Sequence, residues 1–247
     1  MSSKPPRCSR SESGVLFRAL GFRFLDNEGS PIGDDPLRLI SLARIVPPSK
    51  LTLPGILAAS DVTNLLLGKN GCTRVFGPQK GMCSCDAPLF EEGLARLTEV
   101  CRRDLGTNHE ALSGSGAAGG LGFGFLSFCG ARIVPGFELV AEILQLDAHL
   151  QWADWILTGE GSLDSQSLGG KAPVALARMA QRQNKPVECF AGVIAPNFEW
   201  RPLFQNATSL SEIAGSRENA IKEASNHLFE ASRRSAKNLQ ITMSAIS

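Results

Sequence analysis

Length, composition and charge place the chain among ordinary globular proteins. It has 247 residues, 43% of them hydrophobic, which is enough for one large domain or two modest ones. Its 25 basic and 24 acidic side chains nearly cancel, so neither nucleic acid nor an anionic membrane surface is an expected partner. No apolar run approaches the roughly 20 residues that cross a bilayer, and no apolar core of a secretory signal is present, so we expect a cytoplasmic protein.

Residues 1–13 are rich in Ser and Arg and show no hydrophobic period. This composition predicts a disordered or divergent leader, with an organelle transit peptide as the alternative. Regular structure is expected to begin near Gly14, and the sequence of residues 26–29, Asp-Asn-Glu-Gly, predicts a turn.

The cysteine pattern argues against a disulfide framework. The chain has seven cysteines, an odd number at irregular spacing, so we expect reduced thiols. Cys83 and Cys85 form the only close pair. Without a second pair or a nearby histidine, this pair is weak evidence for a metal site.

The predicted elements follow in chain order. Residues 37–46 and 51–59 are punctuated by proline and predict short strands and loops. Residues 86–105 repeat apolar side chains at helical spacing, and we predict a helix capped by Asp86 and ended by Gly106. Further helices are predicted at residues 135–146, 172–183 and 217–239, the last capped by Ser216, and strands at residues 153–158, 187–192 and 207–210.

The alternation of strand, helix and strand after residue 150 predicts a parallel sheet with right-handed crossovers. In such sheets ligands bind beyond the carboxyl ends of the strands. The first candidate site is therefore the segment 158–173, which we expect to be the loop that leaves the strand at 153–158.

The segment 158–173 carries groups suited to phosphate chemistry. Glu160 and Asp164 offer carboxylates for Mg²⁺ or for proton abstraction, Gln166 offers an amide, and Lys171 offers a cation for phosphate. Glycines allow close approach of backbone N–H groups to an anion, and they occupy positions 159, 161, 169 and 170. A Walker A motif is excluded because Ala172 stands where that motif has Ser or Thr. The alternative is a flexible polar loop that ends in a helix cap.

A glycine-rich tract at residues 113–124 contains the spacing G-x-G-x-x-G at Gly114, Gly116 and Gly119. The residues before it do not predict a strand, which argues against a dinucleotide-binding fingerprint. An anion cradle and tight helix packing both remain open for this tract.

A third cluster, at residues 60–81, supplies polar side chains among glycines. Asp61, Asn64, Asn70, Gln79 and Lys80 are groups that could fix a hydroxylated, carboxylated substrate. Turn chemistry is the alternative interpretation.

Five blocks in this order resemble the glycerate kinase family. The leading block is GVLFRALGFRFLD from Gly14, and the last is TGEGSLDSQSLGGK at residues 158–171. The blocks between them lie at residues 60–71, 75–81 and 113–122.

The resemblance implies an α/β fold and a kinase that transfers the γ-phosphoryl group of ATP to a hydroxyl of glycerate. The family architecture implies a second α/β domain, at residues 14–146, inserted into a flavodoxin-like parallel-sheet domain whose C-terminal part is residues 151–247. The active site is expected between these domains. ATP, Mg²⁺ and glycerate are the implied ligands.

The resemblance also implies residue roles. Glu160 or Asp164 would accept the hydroxyl proton, Asp164 would hold Mg²⁺, and Lys171 and Lys80 would neutralise the transferring phosphate. The other predicted residues for binding substrate or nucleotide are Asp61, Asn64, Gln79, Gly114, Gly116, Gly119, Gly120, Gly159, Gly161 and Gln166.

The chain departs from the family pattern in ways that bear on activity. The resemblance implies a longer protein, with an opening strand before the position of Gly14, so the chain is expected to be N-terminally truncated. Ser60 replaces the usual Cys, Leu65 the usual Pro, and Ser162 an Arg suited to phosphate or carboxylate. Three hypotheses follow: a working glycerate kinase, an inactive remnant that binds nucleotide or a partner, and an unrelated module that binds a small anion.

Overall fold

The structure, a computed structural model, describes residues 12–244 and divides the chain into two compact units. The first unit ends at Gly136 and the second begins at Phe137. Most of the predicted leader lies outside the described residues; its last two residues begin helix α1. Among the described residues, no helix is long and apolar enough to cross a membrane.

The first unit combines helices with two small two-stranded sheets. Strands β1 and β2 pair antiparallel, whereas β3 and β4 pair in parallel. Its helices and strands are α1 (Glu12–Ala19), β1 (Arg23–Leu25), β2 (Arg44–Val46), β3 (Leu57–Ala59), α2 (Cys72–Phe76), α3 (Ala87–Leu105), α4 (Ala117–Cys129) and β4 (Arg132–Val134). Short 3₁₀ helices lie at Pro36–Ser41, Pro78–Lys80 and Ser84–Asp86.

Strands β2 and β3 confirm the expectation of short strands in the proline-punctuated region. The start of that region is instead the 3₁₀ helix at Pro36–Ser41. Asp35 begins it by accepting a hydrogen bond from the backbone N–H of Leu37, and proline at the first helical position already has a helical φ.

Helix α3 confirms the helix predicted at residues 86–105. It ends as predicted at Gly106, which is left-handed with φ of 69° and donates its N–H to the carbonyl of Cys101. The predicted capping by the Asp86 side chain was wrong. Because the 3₁₀ helix Ser84–Asp86 leads directly into α3, Asp86 has a helical backbone instead of the extended one that an N-cap requires.

The core of the first unit is aromatic. Phe17 of α1 packs against Phe128 of α4 with ring centroids 4.6 Å apart, and Phe22 and Phe24 meet the same ring edge-on. Leu42 and Val100 complete a core whose members are fully buried or nearly so. The leading sequence block, from Gly14, therefore supplies much of the hydrophobic core of this unit.

A disulfide joins Cys83 and Cys85, so the expectation of reduced thiols was wrong for this pair. Their Cα atoms lie 5.2 Å apart, within the range that a disulfide spans. The other cysteines of residues 12–244 are free, and they are Cys72, Cys101, Cys129 and Cys189.

The second unit is a parallel sheet with helices, which confirms the predicted fold class. Three strands lie in the order β5-β6-β7, and both pairings are parallel. The elements are α5 (Gly136–Ile143), which starts at the last residue of the first unit, α6 (Leu146–Trp152), β5 (Ile156–Leu163), α7 (Ala172–Arg182), β6 (Val187–Ile194), β7 (Asn206–Ser209), α8 (Leu210–Ala214), α9 (Arg217–Lys222) and α10 (Ala224–Ser244). A 3₁₀ helix lies at Ser165–Gly169.

The predicted helix at residues 217–239 is broken, because α9 ends at Lys222 and α10 begins at Ala224. Ser216 caps α9 as predicted, since its hydroxyl accepts a hydrogen bond from the backbone N–H of Asn219.

Helix α7 packs on the sheet through a stripe of small buried side chains. Val174, Ala177 and Ala180 are fully buried against residues of β5 and β6. The buried carboxylate of Glu188 in β6 accepts hydrogen bonds from Asn206 and from Ser235, so its burial is compensated. This packing fixes the end of β5 relative to the start of α7.

Candidate active-site groups

Strand β5 is longer than the sequence predicted, and this changes the expected loop. It runs to Leu163, in register with Ile194 of β6, so residues 158–163 are strand and not loop. Gly159 and Gly161 are compatible with this pairing. Position 192 requires glycine, because a Cβ there would lie 2.6 Å from the carbonyl oxygen of Gly161. The turn that could hold a ligand therefore begins only at Asp164.

Glu160 stands inside β5 with a half-buried side chain. Its carboxylate accepts a hydrogen bond of 2.9 Å from the backbone N–H of Gly161. Burial, reinforced by the negative charges of Glu160 and Glu188, raises the pKa of the Cys189 thiol to about 12. The carboxylate, not this protonated thiol, is the group here that could accept a proton at neutral pH.

Asp164 follows the carboxyl end of β5 and begins the 3₁₀ helix at Ser165–Gly169. One carboxylate oxygen accepts the N–H of Gln166 at 2.9 Å, and the other accepts the hydroxyl of Ser162 at 3.4 Å. The Asp164 N–H in turn donates to the Ser167 hydroxyl at 3.1 Å. The turn is thus ordered by a capping box. Among the described residues, the second oxygen takes part in one long hydrogen bond, so it could also accept a ligand.

Lys171 lies directly before α7 and its side chain is half-buried. Within the described residues its amine takes part in no ion pair. Its carbonyl accepts the first backbone bonds of α7, from Val174 and Ala175, so the positive end of an 11-residue helix begins directly after this residue. Both features favour an anion.

The glycine-rich tract of the first unit serves close packing at one end and a turn at the other. A Cβ on Gly116 would lie 2.2 Å from the carbonyl oxygen of Leu65, so the tight-packing interpretation holds there. Ala118, Gly119 and Gly120 follow with three consecutive left-handed residues before the regular part of α4. The tract therefore contributes a non-helical turn at the start of that helix.

Lys80 contacts this turn. Its Nζ donates a hydrogen bond of 3.1 Å to the carbonyl oxygen of Ala118, and a Cβ on Gly119 would lie 3.1 Å from the same Nζ. Four predicted binding residues consequently line one cavity of about 500 Å³, and they are Gln79, Lys80, Gly119 and Gly120.

The other predicted side chains of the first unit make hydrogen bonds within the protein, away from that cavity. Asp61 accepts the backbone N–H of Gly136, the first residue of α5, at 2.9 Å, and the Asn64 amide donates to the carbonyl of Asn70 at 2.9 Å. The Asn64 bond spans six residues and favours the turn-chemistry alternative for that side chain, whereas the Asp61 bond joins residues 75 positions apart and is not a turn. Gly114 and Gly116 likewise do not line the cavity.

No cluster of three or more His, Cys, Asp or Glu side chains occurs in the part of the chain that is described. Mg²⁺ often takes only one or two protein carboxylates and completes its shell with phosphates and water. One carboxylate oxygen of Asp164 fits that pattern. The described residues do not form a metal site made of protein ligands alone.

Sequence reasoning did not identify Thr73, which lines the same cavity as Lys80. Its side chain is 5% exposed and lies next to the Cys72 thiol, with which it interacts. A threonine in a five-residue helix carries no signal of this kind, because its burial arises from tertiary packing.

Comparison with known proteins gives consistent matches. The sequence profile of the Glycerate kinase family matches residues 13–240. Glycerate 2-kinase from Escherichia coli K12 is 33% identical over 239 residues, which cover 92% of this chain and 61% of that protein. Glycerate kinase from Halalkalibacterium halodurans is 35% identical over 188 residues, which cover 74% of this chain and 49% of that protein.

A solved structure agrees with these relatives. A crystal structure assigned to glycerate kinase 2 from Salmonella typhimurium LT2 matches with a TM-score of 0.76 and 34% identity, covering 94% of this chain and 62% of that one. The chain thus spans between about half and three fifths of the length of the curated relatives cited above. The profile match extends across both units, the resemblance seen in the five sequence blocks is confirmed, and the chain belongs to the glycerate kinase family.

Proposed function

We propose that the chain takes part in the phosphorylation of glycerate by ATP, giving a phosphoglycerate and ADP. Family membership supports this activity, and the names of the Escherichia coli and Halalkalibacterium halodurans relatives agree with it. The observation that carries the proposal is the turn between β5 and α7, where Asp164, Lys171 and the positive end of α7 stand at the carboxyl end of a parallel strand.

The proposed reaction needs positioning and charge more than covalent chemistry. A hydroxyl oxygen of glycerate attacks the γ-phosphorus of ATP, the bond to the bridging oxygen breaks, and ADP leaves. Glu160 or Asp164 would accept the hydroxyl proton, since both carboxylates are half-buried and lie at or near the end of β5. Lys171 would offset the negative charge of the transferring group.

Mg²⁺ would be held by the Asp164 oxygen that accepts the Ser162 hydroxyl, together with the phosphates of ATP, where it would neutralise phosphate charge. In the first unit, Lys80 and the turn at Ala118–Gly120 would contribute to nucleotide binding. Of the remaining predicted residues, Gln166 is exposed and would contact substrate, and Asp61 and Asn64 would act while keeping their hydrogen bonds to Gly136 and Asn70.

The proposal is tested by ADP release from ATP, Mg²⁺ and D-glycerate with the wild-type chain and two lysine variants. Lys171→Met is expected to lower kcat at least roughly tenfold, because one cation beside the transferring phosphate is lost. Lys222→Met removes an exposed lysine of α9 and serves as the matched control, with no change expected. Equal turnover by both variants would remove Lys171 from the proposed site.

A further inference from the structure

The cavity of the first unit has an aromatic lining that the proposed phosphate chemistry does not use. It has a volume of about 500 Å³, within the range of roughly 300–1,000 Å³ found for small-molecule sites. Six of its lining residues are phenylalanines, and they are Phe17, Phe24, Phe76, Phe90, Phe123 and Phe128.

The six rings differ in burial and in their contacts with other rings. Phe17, Phe24 and Phe128 are buried and pack on one another, so their contacts are already satisfied. Phe76 and Phe90 are half-buried and, among the described residues, have no ring partner. Half-exposed aromatic faces in a cavity favour a planar ring, which can stack on them.

Polar groups occupy a few places on the wall. Its charged side chains are Lys80, whose amine lies beside Gly119, Asp35, and Arg18, which forms an ion pair with Asp34 of the same wall. The Gln79 side chain also lines the cavity and has no hydrogen-bond partner in the described part of the chain. Because Arg18 is paired with Asp34, a largely apolar cavity with Lys80 on its wall suits a ligand that has an aromatic ring at one end and an anion at the other.

We propose that this cavity holds the purine base of an adenosine nucleotide, with its phosphates at Lys80 and the turn Ala118–Gly120. The inference rests on the proposed use of ATP and adds the place of the base. Stacking on Phe76 and Phe90 supplies affinity that any planar ring would share, and the Gln79 amide offers hydrogen bonds to the ring edge. The site lies wholly within the first unit.

The test separates the two ends of the nucleotide with three probes, adenosine, inorganic tripolyphosphate and ATP, measured by isothermal titration calorimetry. Leu94→Trp fills the cavity beside Gly120 and is expected to weaken adenosine and ATP roughly tenfold or more while sparing tripolyphosphate. Leu89→Trp places the same ring at an exposed position of the same helix outside the cavity and should change nothing.

The phosphate end is expected to respond in the opposite way. Lys80→Met should weaken tripolyphosphate and ATP by roughly tenfold and spare adenosine. Lys69→Met, at an exposed lysine of the same unit that does not line the cavity, is the control. Phe90→Leu removes a stacking ring without adding bulk, and it must reproduce the selective loss of adenosine seen for Leu94→Trp.

Wild-type chain that does not bind adenosine, or adenosine binding that neither Leu94→Trp nor Phe90→Leu weakens, overturns the assignment of the base. An unchanged KM for ATP in both variants, with glycerate still phosphorylated, has the same consequence and leaves the proposed function standing. Selective binding as expected, without phosphoryl transfer to glycerate, contradicts the proposed function and supports the base site.

Discussion

Asp164 has two roles that a pair of substitutions can separate. Asparagine keeps an oxygen that accepts the Gln166 N–H and is as good an N-cap as aspartate, so Asp164→Asn should fold normally. It removes the negative charge that Mg²⁺ or a proton requires, so we expect kcat to fall at least roughly tenfold with the melting temperature unchanged.

Asp164→Ala is the companion variant, because it also removes the cap and should cost about 1 kcal/mol of stability. Full turnover by Asp164→Asn, measured as ADP release, would show that the carboxylate has a structural role only.

Buried thiols make the first unit sensitive to alkaline pH. Burial raises the pKa of Cys101 to about 12 and that of Cys72 to about 11, from an ordinary value of 9.0. The contribution of the two protonated thiols to the free energy of unfolding is fully present below pH 9. It is lost as the pH rises from 9 through the pKa values of the folded protein. The free energy of unfolding should fall by up to about 1.4 kcal/mol per pH unit for each thiol in that window.

Urea unfolding at pH 8.5 and 10.5 checks this expectation, and the absence of tyrosine leaves thiols and lysines as the main titrating side chains in that range. Cys101→Ala should reduce the pH dependence. Cys129→Ala removes a less buried thiol and should reduce it less. A pH dependence that Cys101→Ala leaves intact contradicts the account.

At the scale of elements, α4 depends on close approach to α1. A Cβ on Gly124 would lie 2.2 Å from a ring carbon of Phe17. Alanine in a helix interior is normally better than glycine by about 1 kcal/mol, but here overpacking should make Gly124→Ala destabilising by about 1–3 kcal/mol.

The measurement is thermal or urea unfolding of four proteins, the wild type, Gly124→Ala, Phe17→Leu and the double variant. Phe17→Leu provides space, so its combination with Gly124→Ala should cost less than the sum of the two single changes. Strictly additive costs would show that the two residues do not compete for the same volume.

Several elements were predicted correctly from the sequence, and the predictions that were wrong have physical causes. The helix at residues 87–105 was predictable because its apolar period and its terminal Gly106 agree. The extension of β5 to Leu163 was not, because Gly-Glu-Gly resembles a loop locally and only pairing with β6 makes it a strand. The break at Glu223 was also missed, because the apolar period continues across it, and the Cys83–Cys85 disulfide was missed although the two cysteines are two positions apart.

The candidate site was predictable as residue types but not as an arrangement. Five sequence blocks identified Asp164, Lys171 and Lys80, whereas the cavity beside Lys80, with Thr73 and its aromatic wall, arises from the packing of α1 to α4. The binding roles of Asp61 and Asn64 stay predictions. In the structure Asp61 accepts the N–H of Gly136 and Asn64 donates to Asn70, contacts that the residue pattern did not predict.

At the scale of the whole molecule, the chain contains two compact units and spans between about half and three fifths of the length of the curated relatives cited above. Family membership rests on a match across residues 13–240. The proposed activity therefore has to be measured on this chain itself, because the residues proposed above for proton transfer and for nucleotide binding both lie within it.

The most direct test is transfer of the labelled γ-phosphoryl group of ATP to D-glycerate by the purified wild-type chain. We expect label in a phosphoglycerate, in an amount that depends on both glycerate and Mg²⁺. A chain that is folded by circular dichroism, yet yields no labelled phosphoglycerate above a control without protein, would contradict the proposed activity.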